Sequence, residues 1–207
     1  MSKSINNVLV KLNKILPDDR GLVCSFISIL SGLVFGSVVA VLPEHGIKSE
    51  ILSVFLSFNT DFADKTKTEI LSGFVLSGLI YFALLFLFGG NVFGKELVLI
   101  ITSLKASGIT AIIAFLYAEY SLKGLEYTLL VFLPGKAVFF FAMLFMTKSA
   151  YDFSGRLRRG LRDKDDMKIH TRLFCLKVLI SFVVFALSWL IDFACICIFS
   201  GLFSFYN

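Results

Sequence analysis

The chain has 207 residues, 57% of them hydrophobic and 17% charged, against about 25% charged in an average soluble domain. That balance excludes a soluble globular protein and leaves no room for a second, aqueous domain, so residues 1–207 read as one integral membrane unit. The formal net charge of +5 does not point to nucleic acid, because the positive residues cluster beside apolar runs, where membrane orientation and anionic lipid account for them.

Residues 2–19 are short and amphipathic. Ile5, Val8, Leu9, Leu12, Ile15 and Leu16 recur at helical spacing, with Lys3, Lys11 and Lys14 between them. Either an interfacial helix or a solvated terminus fits. Pro17-Asp18-Asp19-Arg20 then breaks the pattern. The first span is expected over about 21–42, closed by Pro43. Its apolar run exceeds the ~7–15 residues of a signal peptide core, so it is expected to be retained. Ser28, Gly32, Gly36 and Ala40 recur every fourth residue on it. Small side chains at that spacing let two helices approach closely, so this face is expected to pack on another span of the chain or on a partner.

Residues 43–68 form the first long loop. It is apolar in places but interrupted by Glu50, Asp61 and Asp64, which suits a surface or re-entrant amphipathic segment better than a span. Thr66-Lys67-Thr68-Glu69 is a capping-box pattern and marks the next helix start. The second span follows over about 69–88 and ends at Gly89-Gly90. The third covers about 97–118 and contains Lys105. A polar step, Glu119 to Gly124, precedes a fourth span over about 125–146, broken by Leu133-Pro134-Gly135-Lys136. Residues 147–172 hold eight Lys or Arg and are expected to form a solvated basic connector. A fifth span is expected over about 173–203, long enough to tilt, kink at Gly201 or continue along the surface.

Five spans place the termini on opposite sides. The basic tail and basic connector then fall on one side, which the positive-inside rule makes cytoplasmic. The expectation is a multi-pass cell-membrane protein with its N-terminus inside and its C-terminus outside.

Lysines inside apolar spans are costly and are functional candidates by default. Lys105 lies about eight residues into its span, roughly 12 Å at 1.5 Å per residue, and Lys136 falls at a similar depth. Two snorkelling lysines are one reading. The other is a cavity open to the cytoplasm that accepts an anion, as in a transporter or channel component. By the same depth reckoning Asp192 lies nearer the outer side and is a poor partner for Lys105. No phosphate loop and no metalloprotease motif occurs. Cys24, Cys175, Cys195 and Cys197 lack metal-ligand spacing, and neither His45 nor His170 lies near them in sequence. The reading is therefore non-enzymatic, with no catalytic residue, no metal and no cofactor.

From Gly89 to Pro134 the order of residues resembles the stage II sporulation protein M family of polytopic membrane proteins. Gly89 and Gly94 match its glycine pair, Lys105 a lysine on the following apolar helix, Lys123-Gly124 a Lys-Gly step, and Leu133-Pro134 a Leu-Pro step. The chain has Ala106, Lys95-Glu96 and Gly135-Lys136 where the family pattern has glycine, Leu-Pro and amide side chains. The resemblance implies an all-α membrane scaffold acting in engulfment during endospore formation. It also implies partners, a lytic transglycosylase and an amidase-endopeptidase, which cut peptidoglycan while the scaffold recruits them. Besides the lipid bilayer, a second copy of the chain in a homo-oligomer is a further expected partner.

Overall fold

A computed structural model describes residues 20–41, 67–159 and 164–199. The amphipathic N-terminal segment, most of the 43–68 loop and the Gly201 position lie outside the described residues. The described chain is all-α: α1 Arg20–Val41, α2 Lys67–Gly89, α3 Gly94–Tyr127, a π-helical turn Thr128–Phe132, α4 Leu133–Arg159 and α5 Lys164–Phe199. Four apolar stretches, one each on α1, α3, α4 (with the turn before it) and α5, are long enough to cross a membrane, and α2 carries a shorter one, Val75–Gly89. Large apolar side chains such as Phe26, Val34, Phe141, Leu179 and Ile198 stand exposed on the outside of the bundle. In water such a surface would aggregate; in a bilayer it meets acyl chains.

Side-chain contacts give the helix directions. Ser28 Oγ donates to the Leu99 carbonyl at 2.6 Å, Gly32 lies against Ser103, and Gly36 against Ser107. Residue numbers rise together, so α1 and α3 are parallel. A Cβ at Gly32 or Gly36 would overlap the backbone carbonyl of Ser103 or Ser107. The small-residue face of α1 is thus filled by a span of the same chain. Ala40 lies on α1 near its end.

Tyr81 of α2 sits opposite Thr102 of α3, whereas Ser77 sits opposite Lys105, so these two helices are antiparallel. Helix α4 also runs against α3, pairing Thr147 with Thr102 and Ser154 with Asn91. It runs against α5 as well, with Phe153 stacked on Phe174 at a centroid distance of 4.3 Å and Phe139 against Phe185 at 5.7 Å. The helices therefore alternate in direction, and the first described residue lies at the opposite end of the bundle from the last. The core is closed by Leu85, Val98, Met143, Met146 and Ala150, all fully buried. Tyr81, Thr102 and Thr147 add a buried hydroxyl triad with separations of 2.8–3.2 Å. Such hydroxyl contacts tie helices together where no water competes.

Three connections differ from a plain series of spans. Residues Gly89–Gly94 form a tight turn that does not re-enter the bundle. The Gly90 N–H donates to the Phe86 carbonyl, Asn91 N–H to Phe88, and Gly94 N–H to Asn91. Asn91 Oδ1 accepts from Phe93 N–H, and its carbonyl accepts from Ser154. Glycine is required twice: a Cβ at Gly94 would collide with the Phe88 carbonyl, and one at Gly89 would press on Ala150 at 2.8 Å. The polar step is a sharp break within α3 at Ser121, whose φ of 50° and ψ of −125° lie where glycine is preferred. Finally, the expected solvated connector is largely helix. Helix α4 continues to Arg159 and α5 starts at Lys164, because Thr147, Ala150 and Ser154 are buried against neighbours and carry the core past Met146.

Candidate functional site

The π-helical turn and Pro134 set up the site. Pro134 offers no N–H to the carbonyl four residues earlier and would clash with it in a regular helix. The backbone widens instead: Leu133 N–H reaches back to the Thr128 carbonyl, five residues away. π-bulges of this kind re-aim the side chains that follow them. The next two residues are Gly135 and Lys136. Lys136 is buried, and its ammonium donates to Asp192 Oδ2 at 2.6 Å, with side-chain exposures of 8% and 6%. A Cβ at Gly135 would overlap the other carboxylate oxygen, Oδ1, and crowd the Ser188 carbonyl at 2.9 Å. Glycine thus admits the Asp192 carboxylate against the α4 backbone, and the following lysine neutralises it. The Lys136 ammonium also lies 5.0 Å from the Phe132 ring centroid.

Asp192 is therefore the partner of Lys136. Depth reckoning along straight spans had placed the two apart. The fourth span was expected to end at Met146, but α4 extends to Arg159, which moves Lys136 further from the basic end and level with Asp192. Neither residue is a snorkelling cation or a lone buried charge.

Lys105 differs. Among the described residues it has no carboxylate within ion-pair distance. Its ammonium donates to Ser77 Oγ at 2.5 Å and faces the Phe139 ring at 6.0 Å. Lys105 and the Lys136–Asp192 pair line one partly open cavity of about 280 Å³ between α2, α3, the π-helical turn, α4 and α5. Its walls are mostly apolar, including Ile109, Phe139 and Phe185. Trp189 also lines it, and its indole N–H is buried with no acceptor among the described residues. A buried donor left unpaired costs about 1–3 kcal/mol, so it marks a place where the chain alone does not complete its hydrogen bonds. The formal charges on the walls, two lysines and one aspartate, leave one excess positive charge.

No family model, curated protein or solved structure matches the chain. What the site does is argued from its own chemistry. Two ammoniums, one carboxylate already paired with Lys136 and a few hydroxyls are held in a mainly apolar pocket, and the excess positive charge suits an anion.

The other residues singled out in sequence lie elsewhere. Gly89 and Gly94 build the turn at the basic end. Lys123 is exposed just past the Ser121 break, and the Gly124 carbonyl accepts from Thr128 Oγ1 at 2.8 Å. Pro134 shapes the site without lining it. All four cysteines are free, and among the described residues no group of His, Cys, Asp and Glu is placed to hold a metal. Sequence reasoning missed Trp189. Its signal is positional: it is the only tryptophan in the chain, three residues before an intramembrane aspartate.

Proposed function

We propose that this protein binds an anionic group within the bilayer, in the cavity between α2 and α5, as a component of a transport or ligand-handling path. The observation that carries the reading is the placement of Lys105 beside the Lys136–Asp192 pair in a single cavity. A dry, fully packed interface around both lysines would have argued against it. Intramembrane charge that faces a cavity is the usual mark of an ion or substrate site. The end bearing Arg20, Lys95, Lys148, Arg156 and Arg158 is assigned to the cytoplasm by the positive-inside rule, with the N-terminus inside and the C-terminus outside. The test uses Trp189, the only tryptophan, as a reporter. Protein in nanodiscs is titrated with a panel of small and amphiphilic anions while its fluorescence is followed. A saturable response that weakens in Lys105→Gln supports the reading; silence to every anion refutes it.

A second reading is the non-enzymatic scaffold for peptidoglycan hydrolases in engulfment, supported by the family resemblance. The Gly89–Gly94 turn and the Pro134 break hold architectural positions in the bundle. The Gly32–Gly36 face is filled by α3, so this reading places partner contacts on the outer loop or the lipid-facing sides, where a second copy of the chain would also dock. Mild-detergent capture of the tagged protein from native membranes, followed by mass spectrometry, tests it. Enrichment of a lytic transglycosylase and an amidase-endopeptidase over a control membrane protein supports the scaffold; equal recovery from the control counts against it.

A further inference from the structure

The cavity has a particular relation to the bilayer. Two of its wall residues, Ile80 of α2 and Leu104 of α3, are also exposed on the outside of the bundle, at 47% and 44%. The contacts Ser77–Lys105 and Tyr81–Thr102 fix the register of the two helices and put Ile80 and Leu104 at nearly the same height. The α2–α3 seam is therefore the mouth, and its lips are apolar side chains in the membrane-facing surface. Lys105 is next to Leu104 in sequence and lines the cavity just inside this mouth. Across from it, on α5, are Trp189 and Asp192.

We propose that the ligand is an anionic amphiphile that enters sideways from the bilayer, its oxyanion head held by the Lys105 ammonium in the cavity that Trp189 lines, its chain passing out between Ile80 and Leu104. This rests on the anion-binding reading above and names its substrate class. Three observations select that class. The mouth is lined by apolar residues, which favours a molecule already dissolved in the membrane over a hydrated ion. The charged group that is not engaged with a carboxylate is a donor: Lys105 retains N–H groups beyond its bond to Ser77. The volume, about 280 Å³, falls just below the range of pockets that hold whole small molecules, about 300–1,000 Å³. It suits a head group with the first part of a chain, the remainder staying in lipid. The Lys136–Asp192 pair closes the far wall and keeps the carboxylate of Asp192 from repelling the incoming anion.

The test titrates full-length protein in nanodiscs with dodecanoate carrying bromine on its chain, a contact quencher of tryptophan. The brominated C12 alcohol serves as the neutral match, and aqueous iodide as the small-anion match. In both probes the bromine is placed within the first few carbons of the head group, the part of the chain that stays inside the cavity. The expected result is saturable quenching of Trp189 by the carboxylate, with the alcohol giving only the weak, linear quenching of a partitioned solute. Lys105→Gln is expected to raise the half-saturating concentration at least tenfold and Lys105→Arg to restore most of it. Lys168→Gln, on an exposed position of α5, leaves it unchanged, and matched elution profiles show that each variant is folded. Saturable, Lys105-dependent quenching by iodide but not by the brominated carboxylate would overturn the lateral route while leaving anion binding intact. Equal quenching by the carboxylate and the alcohol, insensitive to Lys105, would overturn the proposal too. No saturable response to any anion would remove the anion-binding reading as well.

Discussion

Replacing Asp192 by Asn leaves the Lys136 ammonium buried without its counter-charge. The pair is 2.6 Å apart and both side chains are under a tenth exposed, so water cannot take over. Breaking one side of a buried pair costs about 3–5 kcal/mol. The ammonium has one escape, to lose its proton, and for a lysine of ordinary basicity at pH 7 that costs about 5 kcal/mol. The two figures meet, so the loss at pH 7 is expected to be about 3–5 kcal/mol. Raising the pH lowers the ceiling, because a free lysine gives up its proton more readily; at pH 9 it is about 2 kcal/mol. The defect of Asp192→Asn should therefore shrink on going from pH 7 to pH 9. Lys136→Met is expected to cost a similar amount at pH 7, and Lys136→Met with Asp192→Leu much less than the sum, since removing both charges also removes both desolvation costs. Reversible unfolding in mixed micelles, read as a double-mutant cycle, measures all four states. Single losses below about 0.5 kcal/mol, or strict additivity, would refute the buried-pair account.

Other positions give independent checks. Gly32→Leu and Gly36→Leu each drive a side chain into an α3 carbonyl and should sharply reduce the monodisperse folded fraction on size exclusion, whereas Val34→Leu, on the exposed face of the same helix, should not. Ser121→Gly relieves a positive-φ backbone costing about 1–3 kcal/mol, against about 0.5–1 kcal/mol of added chain entropy. A small net gain is expected, a rise of about 2 °C in Tm, while Ser121→Val should lower Tm. Tyr81→Phe removes the hydroxyl between Thr102 and Thr147 and should cost about 0.6 kcal/mol in the same unfolding assay, the mean for interhelical hydrogen bonds in a membrane protein.

The helices were legible in the sequence because length and hydropathy dominate in lipid. The expected 21–42 and 69–88 lie close to the helices Arg20–Val41 and Lys67–Gly89, whereas the third helix runs past the expected end at 118 to Tyr127. The Gly32–Gly36 stripe was legible as a packing face, and Lys105 and Lys136 as candidates, from their chemistry alone. The Lys136–Asp192 pair was not. Partner choice depends on the relative height of two helices, and the charged residues after Met146 disguised a helix that stays packed to Arg159. The π-helical turn was hidden for a related reason: Pro134 signals a break, but whether the chain kinks, unwinds or widens is settled by what surrounds it. The Ser121 turn had no glycine at its strained position to announce it.

The length of α4 and α5 has a mechanical consequence. At 1.5 Å per residue, the 27 residues of α4 and 36 of α5 extend about 40 and 54 Å, while the hydrocarbon layer is about 30 Å thick. Their surplus emerges together at the basic end as a short rigid handle, clamped by the Phe153–Phe174 stack and by the contact of Arg156 with His170 at 3.0 Å. Each helix runs unbroken from that handle to the ion pair. Sliding one past the other by a single turn, about 5.4 Å, would carry Asp192 out of reach of Lys136. Anything that grips or twists the handle on one side of the membrane therefore acts, through two stiff rods, on a charge buried deep within it.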